Sequence, residues 1–285
     1  MTTKIPLYQI DAFTTAPFKG NPAAVCLLSR PLPNAQMQDI AAEMNLSETA
    51  FLRRIDSRPW PDAVTFELRW FTPQTEVDLC GHGTLAAAAA LFQVVEVAGD
   101  AVTFQTRSGE LVARKAQAGI TLDFPLDPPR PCELPAALLP ALDLKANDIA
   151  AAAYAPKTHN LLIQLKTSES VRALQPNDRA LLTAEHLETF EGLIVTSRAD
   201  PPYDFLSRYF APWVGIPEDP VTGSAHTVLV PYWAERLGKR RLHAYQASAR
   251  GGELWGEIMA DQRVELVGEA CVVFEGTLYL PDDES

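Results

Sequence analysis

FELRWFTPQTEVDLCGHGTLA, Phe66 to Ala86, set beside FLSRYFAPWVGIPEDPVTGSA, Phe205 to Ala225, is one pattern written twice. A single gapless offset of 139 residues puts Arg69 on Arg208, Phe71 on Phe210 and Pro73 on Pro212, and it sets Cys80 against Asp219. Each copy reads as a strand, then F-x-P, then a loop, then a glycine-containing start of an alanine-bearing helix. Duplication of a half-molecule is the simplest explanation. A duplicated chain usually carries its active site between the halves.

Outward from the first copy, Pro6 to Phe13 alternates as a strand, Thr14 to Pro22 is a loop, and Ala23 to Leu28 is a short buried strand. Met37, Ile40, Ala41 and Met44 recur at helical spacing, which predicts a helix over Ala35–Asn45 capped by Asn34. Strands follow at 47–54 and 64–71. LAAAAALF, after the CGHG motif, is a strong helix former with no wet face, so that helix is expected to be buried on most sides. Three more strands are expected, at 101–105, 111–115 and 120–124.

Asp127-Pro128-Pro129-Arg130-Pro131 is the most proline-dense stretch and the expected domain boundary. It divides the chain into a domain over 1–126 and a second over 127–269, with the closing strand, 270–285, free to return to the first. In the second half, helices are predicted at 135–142, 176–190 and 224–237. Strands are predicted at 160–165, 192–196, 205–210, 243–247, 252–258, 263–267 and 270–280.

The 285 residues hold 24 Lys and Arg against 36 Asp and Glu, a formal charge of −12. That balance argues against nucleic acid or an anionic membrane as partner, while a small anionic substrate stays open. The four cysteines are scattered without CxxC spacing, and no HxxxH or HExxH pattern occurs. No metal site, disulfide framework, signal peptide or membrane span is expected, and the reading is cytoplasmic.

The start of a helix exposes unpaired N–H groups and the positive end of its dipole, which suits a carboxylate or a developing enolate. Two such starts are CGHG (Cys80 to Gly83) and DPVTGSAH (Asp219 to His226). His82 reads either as a local cap or as a proton or hydrogen-bond donor, with its pKa lowered by the helix end. Cys80 reads either as a thiolate activated by that end or as an inert buried thiol. Asp219, Thr222 and Ser224 could simply cap the second helix. Glu48, in MNLSETAF, is expected on an inward, mostly apolar strand face, where desolvation raises a carboxyl pKa and suits it to general acid–base work. Its competitor Glu43 is expected to face solvent.

DAFTTAPFKGNPAAV, MNLSETAF, RWFTPQTEVDLCGHGTLAA and EDPVTGSAH, in this order from Asp11 to His226, resemble the motifs of the PhzF family of phenazine-biosynthesis-like proteins. The resemblance implies an α+β fold like diaminopimelate epimerase: two similar domains, each a curved, mostly antiparallel sheet around a central helix. It implies an isomerase without metal or organic cofactor, of the kind that isomerises trans-2,3-dihydro-3-hydroxyanthranilate, and a homodimer. The family's catalytic glutamate, histidine and aspartate fall on Glu48, His82 and Asp219. Cys80, Gly81, Gly83, Thr222, Gly223 and Ser224 fall where the substrate carboxylate is held. CGHG also resembles the first cysteine motif of proline racemases, but Asp219 stands where their second cysteine would be. The alternatives are an amino-acid racemase or epimerase using Cys80, and a non-catalytic metabolite-binding protein on the same scaffold.

Overall fold

A computed structural model describes residues 2–183 and 189–281. In chain order its elements begin with β1 (Thr2–Ala12), β2 (Asn21–Leu28), α1 (Asn34–Met44), β3 (Glu48–Arg54), β4 (Thr65–Phe71), β5 (Glu76–Val77) and α2 (Gly81–Ala89). The first half ends with β6 (Ala101–Thr106), β7 (Gly109–Ala116) and β8 (Gly119–Pro125). Then come β9 (Arg130–Pro131), α3 (Leu138–Ala141), β10 (Ile149–Ala155), β11 (Asn160–Leu165), α4 (Ser168–Ala173), α5 (Asp178–Thr183) and β12 (Gly192–Arg198). The chain closes with β13 (Phe205–Ala211), β14 (Ile216–Asp219), α6 (Gly223–Leu237), β15 (Arg241–Gln246), β16 (Gly252–Ile258), β17 (Arg263–Gly268) and β18 (Ala270–Pro281). Contacts divide the chain into two units, Met1–Asp123 with Val267–Ser285, and Phe124–Leu266.

The repeat extends to topology. In the first unit β1 runs antiparallel to β2, β2 parallel to β3, and β3 antiparallel to β4, which pairs antiparallel with β5 and parallel with β6. In the second unit β10 is antiparallel to β11, β11 parallel to β12, and β12 antiparallel to β13, which pairs antiparallel with β14 and parallel with β15. Parallel neighbours need a crossover, and helices fill each one: α1 and α2 in the first unit, α4 with α5 and α6 in the second. The last strand, β18, pairs antiparallel with β1.

In the first unit α2 is the central helix. It packs on β1, β2, β3, β7 and β18, and His82 to Leu91 are all buried. Alanine makes this possible: its side chain is short enough to let strands close in on every side of one helix. The helix runs on into a π-turn, Ala90–Val94. In the second unit α6 takes that place. Its Tyr232 hydroxyl donates to Gln164 on β11, and its Trp233 Nε1 donates to Thr196 on β12.

Several local expectations change. Asn34 is the first helical residue of α1 rather than its cap; Pro33 precedes it with no side-chain cap, and Asn45 closes the helix in the left-handed region. The helix expected at 135–142 shortens to α3. The one expected over 176–190 starts as α5, and residues 184–188 of it lie outside the described residues. Ile149–Ala155, IAAAAYA, is a strand despite its alanines, because pairing with β9 and β11 outweighs a propensity difference of a few tenths of a kcal/mol per residue. Among the described residues no helix is long and apolar enough to cross a membrane.

Candidate active site

Glu48 opens β3, opposite Ala23 of β2, and is buried. The central helix brings His82 beneath it. His82 Nε2 lies 2.8 Å from Glu48 Oε2, with the two side chains only 7% and 11% exposed. The approach is close but not aligned as a hydrogen bond, and neither atom has another partner among the described residues. Both therefore keep hydrogen-bonding capacity in a place where leaving it unused is costly. Glu43, the competitor, is exposed.

Cys80 is the N-cap of α2. Its sulfur accepts from the Gly83 N–H at 3.2 Å and lies 3.6 Å from His82 Nδ1, while Thr84 Oγ1 donates to its carbonyl. Burial first, and the Glu48 charge second, push the thiol above its ordinary value, which favours the inert buried thiol of the two readings over the activated thiolate. For His82 the expected lowering is reversed. Burial opposes a charged imidazole, but the Cys80 sulfur and the Glu48 carboxyl beside it outweigh burial and hold His82 well above 6.5. Glu48, Cys80 and His82 each offer a ligand atom within 4.8 Å of the others, the one such cluster of metal-binding donors among the described residues.

Trp70 supports this group from below, a residue the sequence reading passed over. A Cβ on Gly83 would lie 2.8 Å from Trp70 Cδ1 and 2.9 Å from Cys80 Sγ, so only glycine fits between ring and thiol. The signal was present: under the 139-residue offset, Trp70 falls on Tyr209. Gly83→Ala is expected to cost about 1–3 kcal/mol of stability through overpacking. Adding Trp70→Phe should recover part of that loss, read as coupling in a double-mutant cycle of urea unfolding.

In the second unit Asp219 ends β14 and is buried. Thr222, the residue before α6, donates its hydroxyl to Asp219 Oδ2. Gln246 at the end of β15 locks the turn: its Nε2 donates to the Asp219 carbonyl and to Thr222 Oγ1, and its Oε1 accepts from the Thr222 N–H. Gln246 is fully buried, and no motif marked it. Gly223 is buried at the start of α6 and Ser224 is exposed. Gly81 is half-buried at the start of α2.

The duplicated strands also show where the halves diverged. Thr49 pairs with Phe71 and Leu193 with Phe210, so Glu48 corresponds to Gly192. A Cβ at Gly192 would collide with the Tyr209 hydroxyl, which donates to Asn160 Oδ1 at 3.1 Å. A Tyr–Asn pair thus occupies the place that holds an acid in the first unit.

His226, one turn into α6, shares its Nδ1–H with the Thr222 carbonyl at 2.7 Å. Burial, against that hydrogen bond, lowers its pKa from 6.5 to about 4. The unfolded chain then binds more protons between these values, so this group makes stability fall as pH drops from about 6.5 toward 4, by about 3 kcal/mol in all. His226→Gln should flatten that part of the profile, measured by urea unfolding across pH.

The family model of the phenazine biosynthesis-like proteins matches residues 10–276. The chain belongs to that family. A bovine phenazine biosynthesis-like domain-containing protein is 48% identical over 96% of this chain and 99% of its own length. An uncharacterized isomerase of Pseudomonas aeruginosa is 44% identical over 97% of this chain and all of its own. The crystal structure of a PhzF-family protein from Enterococcus faecalis superposes with a TM-score of 0.88 at 41% identity, covering 98% of this chain and all of that one. The fold that the four motifs implied is thus the fold of the phenazine biosynthesis-like protein: two similar units, each a curved sheet around a central helix.

Proposed function

We propose that this protein is an isomerase that moves a proton on a small carboxylate-bearing substrate. The buried Glu48–His82 pair carries the reading. A carboxylate with an unused oxygen beside an imidazolium with an unused nitrogen is a base beside a proton or hydrogen-bond donor. Glu48 takes a proton from an acidic C–H, leaving the electron pair on the substrate as an enolate or extended enolate. His82, cationic beside it, stabilises that charge. The protonated Glu48 then returns its proton to a different carbon, and the double bond shifts. Nothing is oxidised or reduced, and the base is regenerated.

The isomerase names among the family's relatives support the reaction class. The family motif implies the third catalytic role for Asp219, which Thr222 orients. In this proposal Cys80 is not the base, because its thiol is held neutral, and it serves as the cap that fixes His82. The test is incubation with a metabolite extract in deuterated water, followed by mass spectrometry. A carboxylic acid that gains deuterium with the protein, and not without it, is expected. Stable binding of a metabolite with no exchange would make the protein a binder and overturn the proposal.

A further inference from the structure

We infer that Glu48, Cys80 and His82 also form a binding site for a soft divalent cation such as Zn²⁺, whose occupancy shuts off the proton transfer. The binding half stands on geometry, and the inhibitory half rests on the reading of Glu48 and His82 as the reacting pair. Carboxylate, thiolate and imidazole are the three side-chain types that zinc takes, and three protein ligands leave one tetrahedral position open. With bonds of about 2.3 Å to sulfur and about 2.05 Å to nitrogen, a tetrahedral ion separates those two ligand atoms by about 3.6 Å. The Cys80 Sγ to His82 Nδ1 distance is 3.6 Å. That edge of the tetrahedron is already formed, and Glu48 has only to close from within 4.8 Å.

Two further observations point the same way. Glu48 Oε2 is buried without a hydrogen-bond partner, so this ligand oxygen keeps unused acceptor capacity. The charges also balance: a dication with one thiolate, one carboxylate and a neutral imidazole is neutral overall, so the filled site carries no net buried charge. Binding releases the Cys80 thiol proton and the His82 ring proton to solvent. It also holds Glu48 on the ion, where it cannot accept a proton, and leaves His82 a neutral imidazole in place of the cation that would stabilise the enolate.

The experiment uses the full chain, stripped with a chelator and titrated with Co²⁺ under argon, since cobalt reports thiolate ligation by charge-transfer absorption. One equivalent should produce that band and Zn²⁺ should displace it. The band should vanish in Cys80→Ser, where serine keeps the helix cap, and survive in the Cys132→Ser/Cys271→Ser double variant, which removes the two partly exposed thiols. No band, or a band that persists in Cys80→Ser, overturns the site. One equivalent of Zn²⁺ should also lower deuterium exchange by about a hundredfold, as losing a general base does, and a chelator should restore it. Exchange that is unchanged or faster with zinc bound overturns the inhibition. Failure of the cobalt titration leaves the isomerase reading untouched, because exchange is measured on the metal-free protein.

Discussion

Glu48→Gln is expected to slow deuterium exchange by about 10²–10⁴-fold while leaving the fold intact. The amide matches the carboxyl in size and still offers hydrogen bonds, but it cannot take a proton from carbon. Its second effect is on His82. Two influences set that imidazole: burial, which disfavours its charge, and the Cys80 and Glu48 side chains beside it, which win. The variant keeps burial and the Cys80 contact but loses the Glu48 contribution, so the His82 ring should titrate lower, read by NMR of its ring protons. The sign for stability follows. A histidine whose folded value is raised contributes stability that is fully present below about 6.5 and is lost as pH climbs through the folded value. The stability gap between wild type and Glu48→Gln should therefore be widest near pH 6 and close as pH rises. Exchange at a near-normal rate in this variant would remove Glu48 from the mechanism. A lowered His82 value with normal exchange would leave Glu48 as a partner that sets the charge of the histidine and nothing more.

Much of the scaffold was legible because the repeated residues do the same work in both halves. Arg69 grips both oxygens of Glu76 at 2.7 Å and sits over the Phe71 ring; Arg208 grips both oxygens of Glu218 at 2.7 and 2.9 Å and sits over Phe210. The arginines and phenylalanines aligned because they lie on strands, where register is rigid. The glutamates did not align, because the loop before the second is longer and a gapless offset cannot follow a loop. The alanine run after CGHG was read correctly as a buried helix, whereas the alanines of β10 gave no strand signal, since pairing with distant neighbours decides their state. At the candidate site the motifs led to Glu48 and His82 but not to their contact, which depends on β3 crossing the central helix. They also misjudged the pKa direction of His82. A helix end acts on whatever lies beside it, but the Cys80 sulfur and the Glu48 carboxyl packed against the ring act more strongly. Trp70 and Gln246 stayed hidden because their roles are steric and local: each fills or ties a turn whose shape is visible only in three dimensions.

The two arginine clamps are expected to differ sharply when broken, although they are copies. Arg208→Ala should cost about 3–5 kcal/mol, the range for removing one partner of a buried ion pair. The Arg208 side chain is 8% exposed, and its Nη1 donates to the carbonyls of Val171 and Leu174 besides the pair with Glu218. Alanine there strips three acceptors at once, two of them carbonyls of buried residues in the last turn and C-cap of α4. Arg69→Ala removes a clamp that is 21% exposed, and Glu76 keeps Arg107, whose Nη1 lies 2.8 Å from the Oε2 that Arg69 shares. The remaining cation limits the charge left behind, so the loss should be nearer about 1–2 kcal/mol, since hydrogen bonds to charged groups are worth about that much. Urea unfolding of both variants at neutral pH gives the comparison directly. Equal losses would mean that the extra carbonyl bonds of Arg208 contribute little, and that the second unit is held at this corner by packing of the Arg208–Phe210 pair alone. A larger loss for Arg208 would show that, after duplication, one clamp took on the work of tying α4 to its sheet while the other stayed a surface brace.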